Sequence, residues 1–147
     1  MKNNSALFYT CSLIEFIGRE QKLKRSELVT LLGEKTLSRI YRYADIFHCE
    51  PIAKTAADFI ENCNIPKGSY DNVAACRYTV PDYWTIGEVY ERLIEDVCGD
   101  KDEEVIKRLI EVYTSWIDGA LSNYNTDFYY QSRDYIYECY KAGMICA

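Results

Sequence analysis

Apolar residues recur at every third or fourth position along almost the whole chain. In one segment they include Leu37, Ile40, Ala44 and Phe47, a spacing that places them on one face of an α-helix. No stretch shows the alternation that is typical of a β-strand. The pattern predicts a compact all-α bundle of about seven helices, over residues 5–20, 26–32, 35–48, 51–63, 85–98, 101–122 and 126–142.

The widest apolar arc lies between Val105 and Leu121. A wide arc indicates contacts on two sides, so this segment is predicted to be the central helix. Two glycines mark predicted helix ends: Gly33 follows the short helix at 26–32, and Gly143 follows the last helix.

Residues 64–84 form the one long segment without helical spacing. The segment opens on the turn sequence IPKG, and Val80 must be extended because Pro81 follows it. A connection of this length is uncommon inside a compact domain and is often functional.

The helix after this loop has a predicted start of its own. Thr85 and Glu88 have the spacing of a capping box, which predicts that Trp84 packs against Val89 just ahead of the cap. A glycine inside a helix costs about 1 kcal/mol relative to alanine, so Gly87 marks a close approach by something. That neighbour is either another helix, the commoner cause, or a ligand.

If a ligand or partner binds at this loop, aromatic and basic side chains beside the helix start are the candidates. The residues of this predicted site are Arg77, Tyr78, Tyr83, Trp84, Gly87 and Tyr90.

The last predicted helix, 126–142, carries apolar or aromatic groups on more than one face. Surplus tyrosine favours an interface, because tyrosine combines a large apolar body with a polar tip. The alternative is a helix buried between two neighbours. The candidate interface residues are Tyr130, Tyr137 and Met144.

The chain has 147 residues, of which 48% are hydrophobic and 27% charged, as is usual for a globular domain. We predict one helical domain over 1–147: a basic N-terminal half (1–63), the loop (64–84) and an acidic three-helix half (85–147). No apolar run approaches the roughly 20 residues that span a bilayer, so no membrane association is expected.

Charge is distributed unevenly. Residues 1–44 carry eight Lys and Arg against four Asp and Glu, whereas the remainder carries nine against nineteen, for a net charge of −6. An acidic chain argues against general nucleic-acid binding. The basic part has the outline of a helix-turn-helix in which Lys35, Arg39 and Arg42 would face DNA. Its apolar positions are displaced from that motif by one, so a solvated basic face is the alternative, and nucleic acid is not expected as a partner.

Seven cysteines occur, an odd number, and none has C-x-x-C spacing. Metal sites usually show short paired spacings, and disulfide frameworks usually show even counts. The cysteines instead fall on apolar helix faces, where cysteine acts as a small hydrophobe. We therefore expect a cytoplasmic protein with reduced thiols, no metal and no cofactor.

His48 is the one histidine, and it lies on an apolar helix face beside Cys49. Neighbours on a helix point about 100° apart, so these two cannot form a nucleophile pair. Cys76 in the loop could meet His48, although a hydrogen-bonded core histidine is the commoner case. The chain has no phosphate-binding glycine loop, H-E-x-x-H or G-x-S-x-G, so no catalytic residue and no enzyme activity are predicted.

Three separated segments, FIGREQKLKRSELVTLLG, YRYADIFHCEPI and DNVAACRYTVPDYWTIGEVYERLI, together carry a family resemblance. They resemble small all-helical bacterial proteins of unknown function, with patterns such as IGR…K…G, IY..AD.YH and YW.IG.VY.RL. The resemblance implies a helical fold and, from related proteins near toxin-like genes, a regulatory or neutralising role with a partner. It implies no catalytic residues.

Together these patterns predict a non-enzymatic interaction or regulatory module that binds another protein or a second copy of itself as a homodimer. The alternative is a small-ligand binder that uses an aromatic pocket near Tyr83 and Trp84. A helix-turn-helix-like DNA binder comes third.

Overall fold

The computed structural model describes residues 4–146, so residues 1–3 and 147 of the predicted domain lie outside it. Within that range the fold is compact and all-α, without a strand, which confirms the predicted fold class. None of the helices described is long and apolar enough to cross a membrane. The helices are, in chain order, α1 Ser5–Gln21, α2 Arg25–Arg42, α3 Ala44–Phe47, α4 Ile52–Asn62, α5 Asn72–Ala75, α6 Tyr83–Cys98, α7 Val105–Tyr113, α8 Ile117–Leu121 and α9 Arg133–Ala142, with short 3₁₀ turns at Asp102–Glu104 and Phe128–Tyr130.

The first helix, rather than the predicted segment between Val105 and Leu121, occupies the centre of the fold. Helix α1 has its most extensive contact with α6, and it also packs against α2, α3 and α4. Most of its residues are buried, including the polar Thr10, Ser12 and Glu15. These polar residues interrupt the apolar pattern of α1, which is why periodicity alone does not identify it as central.

The prediction of a single helix over 101–122 is wrong, because the helix is interrupted between α7 and α8. At the break, the hydroxyls of Thr114 and Ser115 donate to the backbone carbonyls of Ile110 and Val112. Such side-chain bonds compete with the helical ladder. Two consecutive hydroxyl residues therefore end α7 where the apolar spacing alone would continue it.

The helix ends predicted at glycines are correct, but two other bounds are not. Gly33, with φ 77°, interrupts α2, and Gly143, with φ 78°, ends α9. The helix predicted over 35–48 stops at Arg42 and gives way to the short α3. The helix predicted over 126–142 begins only after Ser132, whose hydroxyl accepts the N–H of Tyr135.

The N-cap of helix α6 lies three residues earlier than the sequence predicts. Oδ1 of Asp82 accepts the Thr85 N–H at 2.7 Å, so Asp82 is the N-cap. Thr85 and Trp84 therefore lie inside the helix, and the predicted capping box with its Trp84–Val89 contact is wrong. Aspartate is at least as good an N-cap as threonine, and here it is favoured over Thr85.

The segment predicted as a loop is held against the end of α1. The Gly68 N–H donates to the Gln21 carbonyl at 2.7 Å, and the Tyr70 N–H donates to the Lys22 carbonyl at 2.9 Å. Asp71 then caps α5 by accepting the Ala74 N–H. These bonds fix the segment on the bundle and lead it to the start of α6.

Candidate functional site

Gly87 marks a contact between helices. A β-carbon at this position would lie 2.1 Å from the Ser12 Oγ and 2.9 Å from the Ser12 Cα. Helices α1 and α6 thus approach so closely here that only glycine fits. The neighbouring helix, the commoner of the two predicted causes, accounts for the residue.

A buried cluster of charges lies beside this contact. Arg25 is 5% exposed, and its guanidinium donates to Glu15 Oε1 at 2.5 Å, to Asp118 Oδ1 at 2.9 Å and to the Ser122 hydroxyl at 2.8 Å. Arg19 also donates to Glu15, at 2.6 Å. The cluster thus pairs two carboxylates with two guanidinium groups, which compensates for taking these charges out of water.

Two tyrosines complete the cluster. Tyr90 donates its hydroxyl to Asp118 at 2.5 Å, and Tyr124 donates to Glu15 at 2.8 Å. Burial raises the pKa of Tyr90 well above its ordinary value. Burial would also raise the pKa of Glu15, but the charges of Arg25 and Arg19 hold it below its ordinary value. Glu15 is therefore a carboxylate at neutral pH, and the tyrosines remain neutral donors.

The cluster positions the start of α6. Nη2 of Arg19 donates to the Pro81 carbonyl at 2.7 Å, so the segment that enters α6 is tied to α1. Tyr83 and Trp84 follow directly on the first turn of that helix. Arg19 thus links the buried cluster to the segment that leads into these two aromatic residues.

Tyr83 and Trp84 form one wall of an open groove that lies between α1, α3, α4 and α6. Two adjoining depressions of about 390 and 440 Å³ make up the groove, and they share Tyr9, His48 and Trp84. We refer to this surface as the aromatic groove, defined by Phe8, Tyr9, Phe16, His48, Tyr83 and Trp84.

The rings of the groove are fixed by one another. The Tyr83 ring lies 4.9 Å from that of Trp84 and 5.1 Å, edge to face, from that of Phe16. Phe8 lies 5.5 Å from Trp84. All four side chains are half-buried, so each keeps a face toward the solvent. The groove is thus an ordered aromatic surface before anything binds to it.

His48 is exposed, so the prediction that it is a hydrogen-bonded core histidine is wrong. Its ring packs edge to face on Tyr9, with centroids 5.8 Å apart. The Cys76 sulfur instead lies 3.4 Å from the carbonyl oxygen of Tyr78 and 3.8 Å from that of Tyr124, outside the groove. The two residues therefore contact different parts of the fold and form no nucleophile pair. Within residues 4–146, no group of three His, Cys, Asp or Glu side chains is placed to hold a metal ion.

The residues predicted to share a pocket with Tyr83 and Trp84 are dispersed, which corrects that prediction. Tyr90 is fully buried in the charge cluster. Arg77 is exposed, and its N–H donates to Asn125 at 2.7 Å. Tyr78 lines a separate depression of about 430 Å³. The loop from α5 carries Arg77 and Tyr78 toward the segment after α8, away from the aromatic groove.

The candidate interface residues of the last helix have different neighbours. Tyr130 is 66% exposed and lines the same depression as Tyr78. Tyr137 is half-buried beneath Lys141, whose Nζ lies 4.5 Å from the ring centroid. Met144 is 64% exposed beyond the end of α9. An interface that uses these residues stays a prediction.

The candidate DNA-facing residues, Lys35, Arg39 and Arg42, are all exposed on the second half of α2. The Arg39 guanidinium lies 5.9 Å from the ring centroid of Phe59 on α4. A neighbouring helix thus already contacts part of this face. DNA binding and its absence both stay untested.

Sequence reasoning missed most of the residues that form these sites. The groove wall from α1, Phe8 and Phe16, shows no signal because its partners on α6 are distant in sequence. The charge cluster does leave a signal. Glu15 and Asp118 are acidic residues within apolar helix faces, a pattern that indicates a buried ionic partner.

Two further acidic side chains, Glu91 and Glu95, are buried one turn apart on α6, at 7% and 3% exposure. The Glu95 carboxylate accepts from Arg133 at 3.2 Å and from the Asn4 N–H at 2.8 Å. Burial, a hydrogen bond with Glu95 and the Glu95 charge raise the pKa of Glu91 to about 8. At neutral pH, Glu91 therefore holds a proton that it donates to Glu95.

This pair predicts a specific pH dependence of stability. The pKa of Glu91 lies above its ordinary value of 4.5, so the folded protein holds the proton more tightly than the unfolded chain. The stabilisation is complete below about pH 4.5, falls as the pH rises and is lost above about 8. Glu91→Gln keeps a donor to Glu95 without ionising. Its free energy of unfolding relative to wild type should rise across that window, by at most about 1.4 kcal/mol per pH unit.

Urea unfolding between pH 4 and 9 measures this difference. Glu138→Gln is the control, because the Glu138 side chain is 63% exposed on α9 and its charge is not among those that raise the pKa of Glu91. The difference between this control and wild type should stay nearly constant. A constant difference for Glu91→Gln would show that the pKa of Glu91 is the same in the folded protein as in the unfolded chain, and would contradict the raised pKa.

No protein-family model, curated protein or solved structure matches this chain. The family resemblance drawn from the three sequence segments therefore stays a prediction.

Proposed function

We propose that the protein is a non-enzymatic interaction module that binds another protein through the aromatic groove. The observation that supports this is the array of half-buried rings around Tyr83 and Trp84, which is ordered by its own contacts. Aromatic residues are enriched at the centres of protein interfaces. Because these rings are already fixed, a partner meets little entropic cost in ordering them.

The shape and charge of the groove favour a particular partner. The depressions are open and wide, as suits protruding side chains of a protein rather than an enclosed small molecule. Asp45 and Glu50 lie among the lining residues. We therefore propose a partner segment that inserts an apolar or aromatic side chain and carries a basic residue beside it.

Two alanines on α4 allow a matched test of this proposal. Ala53 is exposed and lines the groove, whereas Ala57 is exposed one turn later and does not line it. Ala53→Arg should place a long, charged side chain in the groove without disturbing the core. We expect this variant to lose capture of the partner from the native cell by at least about tenfold, the effect of about 1.4 kcal/mol. Ala57→Arg should capture as wild type does.

Quantitative mass spectrometry of the three pull-downs, with equal melting temperatures as the fold control, measures the effect. If the partner is a second copy of the chain, light scattering should show a dimer that Ala53→Arg alone converts to monomer. Equal capture and equal mass for wild type and Ala53→Arg would reject the groove as the binding surface.

A small ligand is the second candidate function, and a different feature favours it. A cavity of about 110 Å³ beside the charge cluster is lined by three basic residues, Arg19, Lys22 and Arg25, and by the carboxylates of Glu15 and Asp71. Asp71 pairs with Lys22 at 2.8 Å. Nη2 of Arg25 carries two N–H groups, but among residues 4–146 it has one acceptor, Ser122. A small oxyanion would suit the free donor. Calorimetric titration with inorganic phosphate, against Lys22→Met, tests this candidate, and absence of binding to the wild type excludes phosphate as the ligand.

A further inference from the structure

The chain after α9 folds back on that helix and brings two cysteines together. Gly143 adopts a left-handed conformation, and the Met144 N–H donates to the Cys139 carbonyl. The Cys146 N–H then donates to the Cys139 sulfur at 3.2 Å. The Tyr135 hydroxyl donates to the Cys146 carbonyl at 2.5 Å and holds the returning chain in place.

The two thiols differ in access. Cys139 is fully buried, whereas Cys146 is partly exposed, and both are free. A disulfide requires Cα atoms about 4.4–6.8 Å apart. The Cys146 backbone nitrogen lies 3.2 Å from the Cys139 sulfur, and the two thiols interact with each other. Rotation of the Cys146 side chain is the movement that closure would require.

We propose that Cys139 and Cys146 form an oxidisable dithiol, a modification site that closes to a disulfide by exchange with a small-molecule disulfide. The Cys146 thiolate attacks the small disulfide, forming a mixed disulfide and releasing one small thiolate. Cys139 then loses its proton to solvent and attacks the Cys146 sulfur, which expels the second small thiolate. Two protein thiols are oxidised by two electrons, and one small disulfide is reduced to two thiols.

Closure would fix the turn between the two cysteines. That turn presents Met144 and Ile145, which are 64% and 52% exposed. The dithiol state would therefore determine whether this apolar tip can adapt its shape to a surface that it meets. This inference is independent of the aromatic groove.

The rate of closure should increase with pH. Contact with the Cys139 thiol, together with burial, raises the pKa of the Cys146 thiol. Since the thiolate is the attacking species, exchange should be slow at pH 7 and faster at pH 9.

The sequence provides a direct readout. Trypsin cleaves after Arg133 and Lys141, so Cys139 and Cys146 fall on separate peptides, 134–141 and 142–147. The folded chain of residues 1–147 is treated with oxidised glutathione at pH 8.5, quenched in acid, alkylated and digested without reduction. We expect the two peptides linked, with the loss of two hydrogens, as the main protein disulfide.

Cys146→Ser should abolish the link and leave Cys139 unmodified, because the buried thiol cannot react first. Cys49→Ser, at an exposed cysteine elsewhere, should leave the link unchanged. The proposal is overturned if the wild type shows glutathione on Cys49 but no linked peptide. It is also overturned if Cys146 pairs equally with several other cysteines.

Discussion

Replacing Arg25 with methionine should lower the free energy of unfolding by about 3–5 kcal/mol, which is the usual effect of breaking a buried ion pair on one side. Methionine fills much of the arginine's volume, so loss of packing is a minor part of the effect. The main cost arises because Glu15 and Asp118 remain buried, at 2% and 5% exposure, without their shared cation. Urea unfolding at neutral pH measures the change.

Two comparisons separate this cost from general surface effects. Lys54 makes ion pairs with Glu50 and Asp58 but is 58% exposed, so Lys54→Met should change stability by less than about 1 kcal/mol. Adding Asp118→Asn to Arg25→Met should recover part of the loss, because it removes one uncompensated charge. A loss for Arg25→Met as small as that for Lys54→Met would show that the cluster does not hold the fold together.

Replacing Gly87 with alanine should lower the free energy of unfolding by about 1–3 kcal/mol, the typical cost of overpacking. The added methyl would lie 2.1 Å from the Ser12 hydroxyl oxygen and 2.9 Å from the Ser12 backbone. The hydroxyl can rotate away, but the backbone contact requires α1 and α6 to separate. Thermal unfolding monitored by circular dichroism measures the loss.

Gly119 provides the matched control, since a β-carbon there meets nothing within 4 Å. Gly119→Ala should be neutral or stabilising by up to about 1 kcal/mol, because alanine favours the helix. Partner capture by the folded fraction of Gly87→Ala should remain as in wild type. If Gly87→Ala were as stable as wild type and lost capture, the ligand interpretation of this glycine would be restored.

The sequence predicts helices well where the signal is local. Gly33 and Gly143 interrupt or end helices where predicted, because a left-handed residue is a property of the chain at that point. Prediction fails where two local signals compete. Asp82 and Thr85 are both good caps, and only the structure shows that Asp82 accepts the bond. The break at Thr114 likewise depends on hydroxyl bonds that apolar spacing does not register.

The candidate site is harder to predict, because its parts meet only through tertiary contacts. Trp84 and Tyr83 stand out as aromatic residues at a helix start, but Phe8 and Phe16 look like ordinary apolar positions of α1. Tyr90 illustrates the opposite error. Its proximity in sequence to Trp84 suggests that the two share a pocket. The Tyr90 side chain instead projects from another face of α6 and donates to Asp118 in the buried cluster.

The buried cluster and the surface groove form one structural unit. Arg19 joins Glu15 in the cluster to the Pro81 carbonyl at the entrance to α6. The groove rings at Tyr83 and Trp84 follow immediately along the chain. Variants that disturb Arg19 should therefore be interpreted through stability first and binding second.

The central claim, that a partner occupies the aromatic groove, can be tested through the fluorescence of Trp84. The chain has two tryptophans, so Trp116→Phe leaves Trp84 as the single reporter. Trp84 is half-buried and should be quenched by acrylamide in the free protein. With the captured partner bound at saturation, we predict a clear fall in acrylamide quenching of Trp84. Trp84→Phe, which reports from Trp116 alone, should show no such fall. Unchanged quenching of Trp84 in the saturated complex would contradict the claim.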